Sequence, residues 1–421
     1  MSGTPIPGSA PSPPSMTGRS LIQWVGDHCG VVLEQPCADV AGSIAMRLPN
    51  AARNAKTLRR ARIDLGLGVA FDSEAWRNQC RRDHVLRRPA FRELGYDVSD
   101  LFSMERLNIN RPLTAAQCGT YAAAHLDAQV RADPTIFQTP AHISPGRVAL
   151  ENDIALAEAT LELIDARGLR EPRDGDPHGR PRAVFASICV PSATLTGARV
   201  AQLVDRYVRL DVDGFWIWAV GFTPTGIRAE LMLRLVLALQ ENSGLPACPG
   251  GLGHLWQAAL ARGAAGAIAG PDRGAVIFDP DQEPPKPRDP EDEEEQDGRR
   301  IHVYHGAIKG CFAFDKKGQA AEALAFKRNP CECGHHDPDQ PPRGRTKTIA
   351  HNQTWRLADA RDVCVGDAAQ ASRVLQSRLP AANTERADVG LKEGLPVGWR
   401  RSLEPWDQAP VGWGAAKGRA A

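Results

Sequence analysis

Two thiols one residue apart, Cys331 and Cys333, are followed by His335 and His336 and, after a Pro/Gly/Arg-rich loop, by His351. Thiolates and neutral imidazoles are the donors that a tetrahedral Zn2+ site takes, and C-x-C-x-x-H with a returning histidine fills four positions and leaves none open. Cys331, Cys333, His336 and His351 are therefore the expected ligands of a structural zinc. His335 is the alternative fourth ligand, and a polar loop with solvent-facing imidazoles is the reading without metal.

Carboxylates at the ends of apolar runs form a second group. GVAFDSEAW, from Gly68 to Trp76, begins apolar and ends polar, as a buried parallel strand does when it hands side chains to a loop. Asp72 closes that run, with Ser73 and Glu74 behind it. An acid there either caps the next segment or has a chemical task that offsets its desolvation. Asp272 and Arg273, in GPDRG, offer a second acid, with a turn ion pair as the competing account. In CPGGLGHLWQAAL, Gly250, Gly251 and Gly253 precede a helix, so they either cradle a phosphate or other anion or form a turn with positive φ. His142, Ser192, Thr223, Thr225 and His254 also follow apolar runs.

Such side chains need a scaffold, and the middle of the chain alternates strand and helix at βαβ length. LTAAQCGTYAAAHLDAQVRADP predicts a helix with Thr114 as N-cap and Pro134 beyond its end. TIFQTPAHI, RAVFASICV, GFWIWAVG, LPACPGG and AAGAIAGP predict strands, separated by helices over about 152–166, 198–210, 228–241 and 255–261. With GVVLEQP (Gly30 to Pro36) as an early strand, seven precede Phe278, and IHVYHG from Ile301 supplies an eighth. That count predicts a (β/α)8 TIM-type barrel, whose chemistry sits at the strands' C-terminal ends. A doubly wound open sheet is the rival, but no GxGxxG loop follows the strand at Gly68.

At 421 residues and 42% hydrophobic, the chain can bury one barrel-sized core and carry an appendage. The expected division is a Pro/Ser-rich tail over 1–20, a barrel over 21–278 and an acidic Pro-rich linker over 279–300. A segment completing the barrel and carrying the zinc-type site follows over 301–380, with helices over 316–327 and 356–379. A Pro/Gly-rich tail with Trp399 and Trp413 occupies 381–421. The formal net charge of +1 excludes a global positive field, so any nucleic-acid contact has to be local, with Arg343, Arg345 and Lys347 as candidates. Thinly spread cysteines such as Cys189 and Cys248 in apolar runs, with no leader and no membrane span, predict a reduced, cytoplasmic protein.

The strand ending DSEAW resembles the DSGGF element of the tRNA-guanine transglycosylase superfamily. AVGFTPTG resembles its GGLSVGE loop, and the Cys/His segment is similar to its C-x-C-x-x-C…H zinc site, in the same order along the chain. The resemblance spans about residues 68–356. It implies a zinc-carrying barrel that exchanges a guanine-type base in nucleic acid, DNA or tRNA, with a small-molecule base as second substrate. It also implies Asp72 as the aspartate for base recognition and proton transfer, and Asp272 as the nearest match to the nucleophile. The family's QGG is replaced by Cys189, Val190, Pro191 and Ser192, and the FDCV context of its nucleophile is absent. His336 stands for a cysteine, and the run to His351 is shorter. Two other functions fit the same residues: a barrel enzyme holding an anionic small molecule with Gly250 to Gly253, and a non-catalytic barrel that binds nucleic acid or a partner. The oligomeric state is not legible.

Overall fold

The computed structural model describes residues 19–25, 29–34, 40–72, 111–143, 146–172, 179–221, 226–270, 302–311, 316–364 and 366–390. Ser73, Glu74, Thr223, Thr225, Asp272, Arg273, the acidic stretch 279–300, residues 1–18, residues 391–421 and the side chain of His254 lie outside the described residues, while 381–388 of the expected C-terminal tail is helical.

Eight parallel strands form one sheet in the order β7-β6-β5-β4-β3-β2-β1-β8: β1 Ser20–Trp24, β2 Ala41–Arg47, β3 Gly68–Asp72, β4 Ile136–Gln138, β5 Ala183–Pro191, β6 Gly214–Val220, β7 Ala247–Gly250 and β8 Gly266–Ala269. β7 and β8 pack against each other, so the sheet curls into a nearly closed (β/α)8 barrel. The helices interleave with these strands: α1 Cys29–Leu33, α2 Ala55–Ile63, α3 Ala115–Ala132, α4 Arg147–Ala166, α5 Gly197–Tyr207, α6 Gly226–Ser243 and α7 Trp256–Ala261. α3 begins where its residues dictate, with Thr114 Oγ1 accepting from Gln117 N–H and the Gln117 side chain accepting from Thr114 N–H, a capping box.

The period-two alternation of each strand divides the core in two. On β6, Phe215, Ile217 and Ala219 face the helices, while Trp216, Trp218 and Val220 join Ile22, Ala45, Ala70 and Cys248 in the lumen. Large rings there require glycine opposite them. A Cβ on Gly214 would stand 2.7 Å from the Phe185 ring, and one on Gly250 would stand 2.5 Å from Trp218. Gly250→Ala is therefore expected to destabilise the barrel by about 1–3 kcal/mol, the range for overpacking a filled core, read as a lower denaturant midpoint at unchanged m-value.

After the barrel, β9 Tyr304–His305 and β10 Gly310–Cys311 form an antiparallel pair, followed by α8 Lys316–Arg328, α9 Arg345–Cys364 and α10 Ala368–Asp388. α9 packs on β1, α1 and α7, and α10 packs on α7. Two polar contacts fasten the join. Gln353 Nε2 donates to Gln23 Oε1 of β1 at 2.5 Å. The buried Asp359 carboxylate accepts from Gln257 Nε2 of α7 at 2.9 Å, from Tyr304 Oη at 2.5 Å, and from Lys309 Nζ.

Three expectations are corrected. Gly30 to Pro36 does not supply a strand: α1 occupies Cys29–Leu33, because a short apolar run lacks the length that separates helix from strand. The segment from Ile301 is not the eighth barrel strand, since β9 pairs with β10 in a separate sheet. The strands that complete the eight are β1 and β2. The helical pattern over 356–379 is two helices, divided at the Asp367 N-cap, whose side chain accepts from Gln370 N–H.

Candidate active site and metal centre

Asp72 is the last residue of β3, 6% exposed, with Arg47 of β2 as its partner in register. Its charge reaches the lumen: burial first, then the Asp72 and Asp153 carboxylates, push the Cys189 thiol well above its ordinary range. β8 runs parallel to β3 in the same sheet, so Gly270, two residues before Asp272, lies at the same end of the barrel as Asp72.

Beside Asp72 the sheet is parted. Among the described residues β3 and β4 pair only at Ala70 and Ile136, and beyond that point the backbone of Gln138 turns to a side chain. Gln129 of α3 accepts from Gln138 N–H (2.8 Å) and donates to Gln138 C=O (2.7 Å), occupying the ladder positions that β3 leaves. The next residues are pinned similarly. Thr139 Oγ1 accepts from Ser187 N–H at 3.0 Å, and Asp153 of α4 takes both the backbone N–H of His142 (3.2 Å) and its ring Nδ1 (2.9 Å). Ile143 then bridges to Cys189 of β5. His142 is thus wholly buried and anchors the loop after β4, between the barrel and α3 and α4.

His125 supports the same latch, its Nδ1 lying 3.1 Å from Gln129 Nε2. Burial, and then the neighbouring His142, hold this imidazole down to about 3 from 6.5. Below 6.5 the unfolded chain binds a proton here that the folded chain refuses until about 3. The stabilisation is therefore complete above 6.5 and is lost as pH falls toward 3. Urea midpoints measured across that window should fall more steeply for the native chain than for His125→Gln.

Gln138, Trp216 and Trp218 are functional candidates that the sequence reading missed. Gln138 shares the lumen face with Ile136, and its Oε1 lies 3.4 Å from Ser187 Oγ. Its Nε2 and the indole Nε1 atoms of Trp216 and Trp218 are buried without a protein acceptor. Each such donor costs about 1–3 kcal/mol, so a ligand offering acceptors would be stabilised there. The signal was available in outline, because strand alternation places position 138 on the lumen side once Ile136 is placed there.

The glycines after β7 have local reasons. Gly250 makes room for Trp218, while Gly251 (φ +77°) and Gly253 (φ +57°) adopt left-handed backbone. Ser192 Oγ donates to Gly221 C=O at 2.9 Å and ties the ends of β5 and β6.

The metal-type residues do converge. The ligand atoms of Cys331, Cys333, His336 and His351 all lie within 4.8 Å of one another, a cluster able to hold a metal ion. His351 Nδ1 is 3.4 Å from each sulfur and 2.9 Å from His336 Nε2. Both imidazoles are oriented from behind: His351 Nε2 donates to Tyr304 C=O at 2.6 Å, and His336 Nδ1 donates to Asp337 C=O at 2.8 Å. That leaves one lone pair of each ring facing the thiols, the arrangement that metal-binding histidines need. Backbone N–H groups of Cys333 and His335 point at the sulfurs of Cys331 and Cys333, at 3.4 and 3.5 Å. Gly334, at φ +75°, turns the chain between them. His335 reaches Thr354 Oγ1 instead, at 3.2 Å, so the fourth position belongs to His336. The hydrogen bond from Cys333 is the largest influence holding the Cys331 thiol down to about 3. Cys333 is pushed up by its neighbour and by burial. The donor set and its supports fit a metal centre with four protein ligands.

No family model and no curated protein matches the chain. Among solved structures, nitroalkane oxidase from Streptomyces ansochromogenes aligns over 89% of this chain and 97% of its own, with 13% identity and a TM-score of 0.28, too low to carry any argument. Among the described residues, no helix is long and apolar enough to cross a membrane.

Proposed function

We propose that the barrel exchanges a guanine-type base in nucleic acid by transglycosylation, with Asp72 at the reacting centre and Zn2+ as a structural ion. The observation that carries this reading is the position of Asp72: a buried carboxylate at the C-terminal end of β3, where barrel chemistry is done, beside a lumen with buried N–H donors and aromatic rings. A flat heterocycle carrying both acceptors and donors suits such walls, the donors meeting its acceptors and Asp72 its N–H groups. The resemblance in sequence assigns the remaining roles. The Asp272 carboxylate bonds to the anomeric carbon as the glycosidic bond breaks, and Asp72 gives its proton to the departing base. The incoming base then returns a proton to Asp72 and displaces the Asp272 oxygen. The nucleotide must leave its stack to reach the mouth. Cys331, Cys333, His336 and His351 would hold the zinc, which supplies no chemistry beyond fixing the segment after β10.

The test supplies zinc-loaded full-length protein with labelled guanine and either tRNA or duplex DNA. Label entering one of the two nucleic acids supports the reading, and no label in either overturns it. A barrel enzyme acting on an anionic small molecule is the second reading, favoured by the buried N–H donors of Gln138, Trp216 and Trp218. It requires neither nucleic acid nor metal, so activity that survives removal of both would select it.

A further inference from the structure

We propose that the outer face of α2 is a docking track for a phosphodiester backbone, leading to the barrel mouth at Asp72. The proposal rests on the nucleic-acid reading above. Between Arg47 and Ile63 the chain carries Arg47, Arg53, Lys56, Arg59, Arg60 and Arg62 without one carboxylate, in a protein whose net charge is only +1. The structure spreads them in order. Arg47 closes β2 in register with Asp72, Arg53 follows in the β2–α2 loop, and Lys56, Arg59 and Arg60 are exposed along the helix, with Leu58 and Ala61 buried on its other side. Arg62 is already spent, its guanidinium on Asp133, and Arg47 and Arg53 have interactions of their own, so Lys56, Arg59 and Arg60 carry the track.

Lys56 with Arg59, and Lys56 with Arg60, are like charges three and four residues apart, each pair repelling by about 0.2–0.5 kcal/mol. None of the three forms an ion pair among the described residues, although Asp64 stands four residues after Arg60. Some other surface cations are matched, as in Arg209 with Asp205, Arg206 with Glu151 and Arg167 with Asp127, whereas Arg343, Arg345 and Lys347 are exposed without an ion pair among the described residues, like the three on α2. A self-repelling stripe that begins at the candidate site gains from a polyanion laid along it. Lys56 to Arg60 covers about 6 Å of helix axis at ~1.5 Å per residue, the reach of about two successive phosphates on one strand.

The experiment measures the affinity of the zinc-loaded full chain and of its Lys56→Glu, Arg59→Glu, Arg60→Glu triple variant for end-labelled duplex DNA and for tRNA, by anisotropy across a salt series. Each lost phosphate contact lowers the slope of log Kd against log salt by about 0.9 on duplex DNA, so the slope should fall by about two and the affinity by at least about tenfold near physiological salt. The nucleic acid that shows this change is the one the track serves. The Gln triple variant should lie between the two and serves in place of the Glu variant if the latter melts early. An unchanged slope on both nucleic acids overturns the track, as does a loss confined to anionic lipid vesicles. If the wild type exchanges bases while the variant keeps its slope, only the track falls. If the wild type binds neither nucleic acid, the proposed function falls with it.

Discussion

Asp72→Asn should lower base exchange by about 10²- to 10⁴-fold, the range for removing a positioned proton donor or acceptor. The substitution keeps the shape of the side chain at the end of β3 and takes away only its ability to hold and release a proton there. The thermal midpoint and metal content should therefore stay near wild type. The rate should fall in kcat, because the group acts as the glycosidic bond breaks and not only when the base binds. Initial rates with labelled guanine, measured at saturating nucleic acid, check this. Asp272→Asn should be at least as damaging if that residue is the nucleophile. Base exchange unchanged in both variants would falsify the catalytic assignment, whatever else the barrel does.

The second large effect concerns the metal. Purified protein should contain one zinc per chain by elemental analysis, and His351→Ala should contain none. Structural zinc in small modules contributes apparent free energies of about 10–16 kcal/mol at neutral pH, more than most domains have in total. Loss of the ion should therefore loosen the segment from β9 through α9, seen as a collapse of amide-exchange protection there. His335→Ala is the control: its ring lies on Thr354 outside the ligand set, so the zinc should stay. Zinc retained by His351→Ala, or lost from His335→Ala, would reverse the assignment of ligands.

Much of this was legible in the residues, and the reasons differ from element to element. β5 and β6 are long apolar runs between clear turns, and α3 carries its own start signal in Thr114 and Gln117. The C-x-C-x-x-H spacing found the metal cluster because ligands that close in sequence must also close in space. β1 and β2 went unseen because SLIQW and AGSIAMR mix polar and apolar residues: Gln23 of β1 meets Gln353 of α9, and Ser43 interrupts and Arg47 ends the apolar run of β2. The choice between His335 and His336 rests on which ring the Gly334 turn aims inward, a conformational fact no spacing encodes. Gln138 was hidden for a related reason: β4 is only three residues long, and its C-terminal partner is the side chain of Gln129 rather than a neighbouring strand.

The contacts of Gln23 with Gln353 and of Gln257 with Asp359 bear on how this protein can be handled. Both glutamines belong to the barrel wall, and both receive their partners from α9, far later in the chain. A shortened version ending before that helix would open these amides and the apolar flank around them to solvent at once. Dissection into separately expressed halves should therefore yield aggregates, and the barrel and the segment carrying the Cys/His cluster are best regarded as one cooperative unit assembled from early and late parts of the chain.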